Sequence, residues 1–320
     1  MIKCFYAYAS KIEGVVFSIQ YAIREINAHK ESYGVEIIDW KEDLDISGNI
    51  IIDKVCEAID ECEVFLCDLT EINLNVLFEL GYALINGKRI WISIDSSFYD
   101  APKFYEDLKI LTTLGYREHI SGPQLLSELL NDNPWNFIEK NPYKKIIKSH
   151  TWSYVRKPRL FYLKSSINTN ESRYLTREIE KNFQDVVTDD PLEYVTTSPL
   201  EWYMEQVFTS YAVAAHFLDN GRNEKHPQNA KYAFICGMAY GLRRKPIMFA
   251  HNPYVPEIDY RDIMIVPNTI SQFQTIVDKW VKETSKQITN YRKKYQSRPF
   301  GTSENLGFID IGEFKAEDEK

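Results

Sequence analysis

Two segments of this chain repeat at one fixed offset, and that repeat limits the fold more than any other feature. RLFYLKSS, from Arg159, parallels KCFYAYAS, from Lys3, with Phe161 opposite Phe5 and 161 − 5 = 156. NAKYAFICGMAYGLRRKPIMFAH (229–251) parallels NLNVLFELGYALINGKRIWISID (73–95). Gly237 falls opposite Gly81, and 237 − 81 is again 156. Two independent segments at one offset indicate a tandem repeat. Between them YAVAAHFLD (211–219) matches EVFLCDL (63–69) at a smaller shift, so the next loop, NGRNEKHPQ, is longer in the second copy. A length of 320 residues suits two such domains.

Within the first copy, apolar periodicity alternates between strand and helix. IKCFYAY (2–8), GVEIIDW (34–40), EVFLCDL (63–69) and RIWISID (89–95) read as strands. Residues 14–29, 49–62 and 75–88 read as helices, the first carrying Val15, Ile19, Ala22, Ile23 and Ile26 on one face. Gly87 is a suitable stop for the third. EVFLCDL is apolar without alternation, as a strand covered on both faces should be. Strands alternating with helices predict an α/β fold, here two tandem parallel-sheet units. The expected divisions are 1–150, 151–296 and a flexible tail, 297–320. The boundary falls in a basic, proline-containing stretch, NPYKKIIKSHTWSYVRKPR, which reads as a solvated linker ahead of a phosphate-backbone contact. A helix over 270–295 has one apolar stripe and a basic end that suits its dipole.

Composition removes several classes of function. Thirty-eight basic against 46 acidic side chains leave a net charge of −8, which argues against a nucleic-acid coat or a membrane-surface protein. Apolar runs such as VFLC and IWISI are far shorter than the roughly 20 residues that span a bilayer. MIKCFYAYAS has no apolar block of signal-peptide length. The cysteines, Cys4, Cys56, Cys62, Cys67 and Cys236, are odd in number and form no CxxC, as expected of buried thiols in a reducing, cytoplasmic compartment. No Cys/His spacing suggests a metal site.

Ligands of parallel α/β sheets sit beyond the carboxyl ends of the strands. Three such ends carry candidate residues: Tyr8 and Ser10 after the first strand, Trp40 after the second, and Asp68 after the third. Asp68 leads to Asn73 and Asn75, which open the helix holding Glu79, and a helix N-terminus suits a phosphate. Asn75, Glu79, Tyr82 and Asn86 share one helical face. That stripe reads as a catalytic face or, more commonly for a surface helix, as a merely solvated one. The same offset turns it into Lys231, Ile235, Met238 and Leu242, so the second copy has no carboxylate there. Tyr8, Trp40 and Tyr82 could stack on a base or simply pack. Ser10 has no His–Asp partners in sequence that would make it a nucleophile. His216 and His251 end strands, where core or loop roles are commoner than ligand contact.

DLTEINLNVLFELGYALINGKRIWISID (68–95) resembles the signature segment of the nucleoside 2-deoxyribosyltransferase-like superfamily and its TIR-like relatives. There an acidic strand end leads through an Asn- or Asp-containing loop to a Glu-Leu-Gly-x-Ala helix, then Gly-Lys and a strand. CFYAYAS is similar to the family's first strand and substrate loop. The resemblance covers about residues 2–95, strongest at Asp68, Glu79, Leu80, Gly81 and Ala83, and the second copy departs from it at Ile235.

The resemblance implies a flavodoxin-like fold and cleavage of an N-glycosidic bond. Glu79 would be nucleophile or stabiliser, and Asp68, Asn73 and Asn75 would bind sugar hydroxyls or hold Glu79. Breaking that bond puts positive charge on the ribose, which a carboxylate stabilises. NAD or another nucleotide would be the substrate, with no separate cofactor. A role in antiviral defence, self-association and partner proteins are expected on the same ground. The alternatives are a module that binds a nucleotide signal without cutting it, and a scaffold in a larger complex.

Overall fold

The computed structural model describes residues 1–44, 51–98, 100–136, 157–191, 198–219, 225–244, 246–250, 254 and 263–296. The expected domain boundary near 150, His251 and the tail from 297 lie outside these.

The first unit runs β1 (Ile2–Ala7), α1 (Glu13–Ala28), α2 (Lys30–Tyr33), β2 (Val35–Asp39), α3 (Ile51–Glu61), β3 (Val64–Asp68), α4 (Leu74–Ile85), β4 (Arg89–Asp95), α5 (Ala101–Asp107), β5 (Arg117–His119) and α6 (Gly122–Asp132). The second runs β6 (Leu160–Leu163), α7 (Asn170–Asn182), β7 (Val186–Asp189), α8 (Leu200–Thr209), β8 (Ala212–Phe217), α9 (Lys225–Gly241), β9 (Pro246–Ala250), β10 (Met264–Ile265) and α10 (Ile270–Gln296). All strand pairs are parallel. The sheets are ordered β2-β1-β3-β4-β5 and β10-β9-β8-β6-β7. Read from its other edge the second order is the first, so the chain is two tandem flavodoxin-like units plus a C-terminal helix. Among the described residues, no helix is long and apolar enough to cross a membrane.

Strand alternation sorts the core into layers. Phe5 and Ala7 of β1, with Phe161 and Leu163 of β6, face one large central core that also takes α3, α4, α8 and α9. Cys4, Tyr6 and Tyr8 face the opposite way, against α1 and α6. Leu160 and Tyr162 do the same in the second unit, against α7 and α10. The order of layers is helices, sheet, paired helices, sheet, helices, and the central core belongs to both units.

Helices α4 and α9 make that shared core possible. A Cβ on Gly81 would lie 2.0 Å from the Phe234 carbonyl oxygen, and a Cβ on Gly237 would lie 1.9 Å from that of Phe78. The two contacts are equivalent under the 156-residue shift, as expected of a pseudo-twofold pair. Phe78 and Tyr82 meet the Tyr240 ring at 5.7 and 6.2 Å, and Gly241 lies against Ile85. Contacts therefore advance in the same order along both helices, which run in the same sense. Each helix returns antiparallel to its own sheet, so the carboxyl edges of both sheets open on one side of the molecule.

The short strands β5, β7 and β10 are not predicted by periodicity. With three, four and two residues they hold too few alternations to register.

Gly81→Ala and Gly237→Ala are expected to lower unfolding stability by about 3 kcal/mol each, the upper end for overpacking against backbone that cannot yield. Gly14→Ala, at the start of α1 with nothing within 4 Å, is expected to stabilise by roughly 0.5 kcal/mol. Urea denaturation of the three variants distinguishes them.

Candidate functional site

In the first unit the strand order reverses between β1 and β3, where crevices form in open sheets. One wall is the turn after β1. Tyr8 is buried there, its hydroxyl donating to Asp39 Oδ1 at 2.7 Å. Trp40 Nε1 donates to the Tyr8 carbonyl at 3.2 Å, with the two rings 5.8 Å apart. Asp39 also accepts from the Lys41 amide at 2.9 Å. Burial, then Asp39, pushes the Tyr8 phenol far up. Tyr8 and Trp40 thus form one packed wall. Ser10, just beyond, is exposed. Lys11 reaches Glu71 Oε1 at 3.4 Å, joining the loop after β1 to the loop after β3.

The other wall is α4. Asn73 caps it, its side chain accepting from the amides of Asn75 and Val76 at 2.8 and 3.3 Å. The cap occupies the Asn73 oxygen within the protein. Asn75, in the first turn, keeps its Oδ1 buried and without a hydrogen-bond partner among the described residues. Glu71 Oε2 is in the same condition. Glu79 follows Asn75 by one turn and is half-buried. Its charge acts on Cys56 of α3 and Cys67 of β3, and with burial it pushes both thiols up. The carboxylate is therefore within electrostatic reach of both α3 and β3.

Asp68 is placed differently from a ligand contact. Its Oδ1 accepts from the Thr70 amide at 3.0 Å. Its Oδ2 accepts from Ser93 Oγ at 2.8 Å and lies 3.4 Å from His119 Nε2. Ser93 Oγ also meets the Tyr6 hydroxyl at 2.9 Å. All four side chains are buried. The network joins β1, β3, β4 and β5 and satisfies Asp68 and Ser93, while His119 Nδ1 is buried without a hydrogen-bond partner among the described residues. Thr70 Oγ1 takes the Asp95 amide at 2.7 Å and extends the tie. Tyr82, one turn beyond Glu79 on the same face of α4, is buried against Tyr240 of the second unit, with burial and then Cys56 raising its phenol. The structure thus brings Asn73, Asn75 and Glu79 together on α4 and Tyr8 with Trp40 on the opposite wall.

Sequence reasoning did not single out Glu71, Ser93 or His119. His119 sits in a three-residue strand with no periodicity, and Ser93 is an unremarked position of an apolar one. Glu71 had only its place between Asp68 and Asn73 to mark it. Among the described residues no group of His, Cys, Asp and Glu could hold a metal ion. All five cysteines are free and buried, and burial holds Cys62 up at about 11.

Asp68→Ala would strand Ser93, His119 and the Thr70 amide, and is expected to cost about 3 kcal/mol of unfolding stability by denaturant titration. Ser10→Ala, on the exposed loop, is expected to change it by under roughly 0.5 kcal/mol. The native protein is expected to leave its thiols unreacted with a chromogenic disulfide reagent at mildly alkaline pH, because burial raises their pKa values. Denaturant should release all five.

No family model matches this chain and no curated protein matches it, so the family resemblance of residues 68–95 rests on those residues themselves.

Proposed function

We propose that the first unit is an N-glycosidase of the deoxyribosyltransferase or TIR-like kind, cleaving the bond between ribose and base in NAD or another nucleotide. The observation that carries the reading is the first two turns of α4. There a half-buried carboxylate, Glu79, stands one turn beyond a buried acceptor, Asn75 Oδ1, that meets no donor among the described residues. Sugar hydroxyls are donors of the right kind for Asn75 and for Glu71 Oε2.

Cleavage of the C1′–N bond leaves its electron pair on the base and positive charge on the sugar ring. Glu79, half-buried and within electrostatic reach of α3 and β3, can stabilise that charge or capture C1′. Water then supplies hydroxide to C1′, and its proton goes to the base where that leaves as an anion, or to solvent where neutral nicotinamide leaves NAD; a second base in place of water gives transfer. The helix N-terminus capped by Asn73 suits a substrate phosphate. Asp68 acts here as a positioning residue, because its network holds the strand ends from which the crevice is built. A defence role, self-association and partner proteins belong to the same proposal through the family resemblance.

Glu79→Gln is expected to lower release of free base from NAD or a nucleoside phosphate by at least about a hundredfold, with the thermal transition unchanged. Chromatography of the reaction mixture reads the base directly. Equal turnover by the variant would remove Glu79 from the chemistry. Saturable binding to the wild type with no base released would favour a nucleotide sensor.

A further inference from the structure

The carboxyl edge of the second sheet gathers two lysines and two aspartates from three elements. Lys164 follows β6 and pairs with Asp190 Oδ2, just past β7. Lys231, on α9, reaches Asp189 Oδ2 at 2.7 Å. The Tyr203 hydroxyl donates to Asp189 Oδ1 at 3.1 Å, and that of Tyr232 donates to the Lys164 carbonyl. The Lys231 ammonium also lies 5.6 and 5.4 Å from the centres of the Tyr203 and Tyr232 rings.

The place is the second unit's own switch point. Order reverses at β6, between β7 and β8, and Lys231 reaches from the helix after β8 to the end of β7. The 156-residue shift sets Lys164 opposite Tyr8 and Lys231 opposite Asn75. A hydroxyl–carboxylate contact and a neutral amide in the first unit have become two ammonium groups in the second.

Exposure differs between the partners. The carboxylates are 4% and 6% exposed, the Lys164 and Lys231 side chains 29% and 12%. In each pair the carboxylate is the more buried partner. An ion pair of this burial adds little stability over an apolar pair of equal size, so two of them at a ligand-binding edge call for a further role. Each ammonium carries three donors and spends one on its aspartate. We propose that this edge is a second site, separate from the Glu79 crevice, which takes the phosphate of a small phosphorylated molecule across Lys164 and Lys231. The aspartates hold the lysines in place.

The test is a thermal-shift titration of the full chain with inorganic pyrophosphate at constant ionic strength, which removes general screening. The wild type is expected to give a saturable upward shift. Lys164→Gln, and the paired change Lys231→Gln with Asp189→Asn, which strands no buried carboxylate, are each expected to weaken the apparent affinity by about tenfold or more, the size of one lost charge-assisted contact. Lys164→Arg should restore most of it. Glu79→Gln should leave it unchanged, whatever that variant does to base release. No saturable shift in the wild type, a shift that survives both lysine changes, or one abolished by Glu79→Gln would each overturn the proposal.

Discussion

The close approach of α4 and α9 is the contact on which the molecule depends. Helices normally stand 8–10 Å apart because side chains intervene. Here Gly81 and Gly237 remove them, and each lies against the carbonyl of a phenylalanine from the other helix. Dispersion and Cα–H···O contacts are individually small, but at this separation they extend along both backbones. An isolated unit would expose the central-core faces of its helices to water. Paired, the two units bury Phe78, Leu80, Phe234, Ile235 and Met238 together. The pairing also fixes relative direction, and with it the emergence of both ligand-bearing edges on one side.

Duplication leaves each edge free to change while the interface is kept. Gly81 and Gly237 are retained as a pair, as are Phe78 and Phe234 at the 156-residue shift. Two turns of the same helices carry the differences. Glu79 becomes Ile235, which is fully buried in the central core. A carboxylate in that apolar setting would need a counter-ion, and an unpaired one would cost several kcal/mol. Packing alone therefore keeps the second unit from regaining the first unit's carboxylate. The first unit, with Glu79 half-buried beside α3, escapes that cost.

Much of the architecture was legible in the sequence. The fixed offset showed the tandem units, and the uninterrupted apolar run at 63–69 showed β3 buried on both faces. Gly87 ends α4 in a left-handed conformation, φ 79°, as its type suggests. The site was less legible, because side-chain roles depend on neighbours distant in sequence. Asp68 reads as a sugar ligand until Ser93 and His119, 25 and 51 positions away, are seen to occupy it. Tyr82 reads as part of a polar stripe until Tyr240 covers it. In the second unit a stripe of Lys231, Ile235, Met238 and Leu242 gives no sign that Lys231 turns back to Asp189, since β7 is too short to be seen.

The two edges now differ in what they ask of a ligand. The first offers the Glu79 carboxylate and two buried acceptors, so it is matched to donors and to developing positive charge. The second carries two lysines, each paired with a more buried aspartate, and the ligand proposed for it is an anion. The inversion rests on three exchanges at equivalent positions: Tyr8 for Lys164, Asn75 for Lys231 and Glu79 for Ile235. None of the three touches the glycine contact between the helices. An interface made of close backbone approach and apolar side chains tolerates changes of charge beside it, whereas an interface built from ion pairs would have tied the polarity of one edge to that of the other.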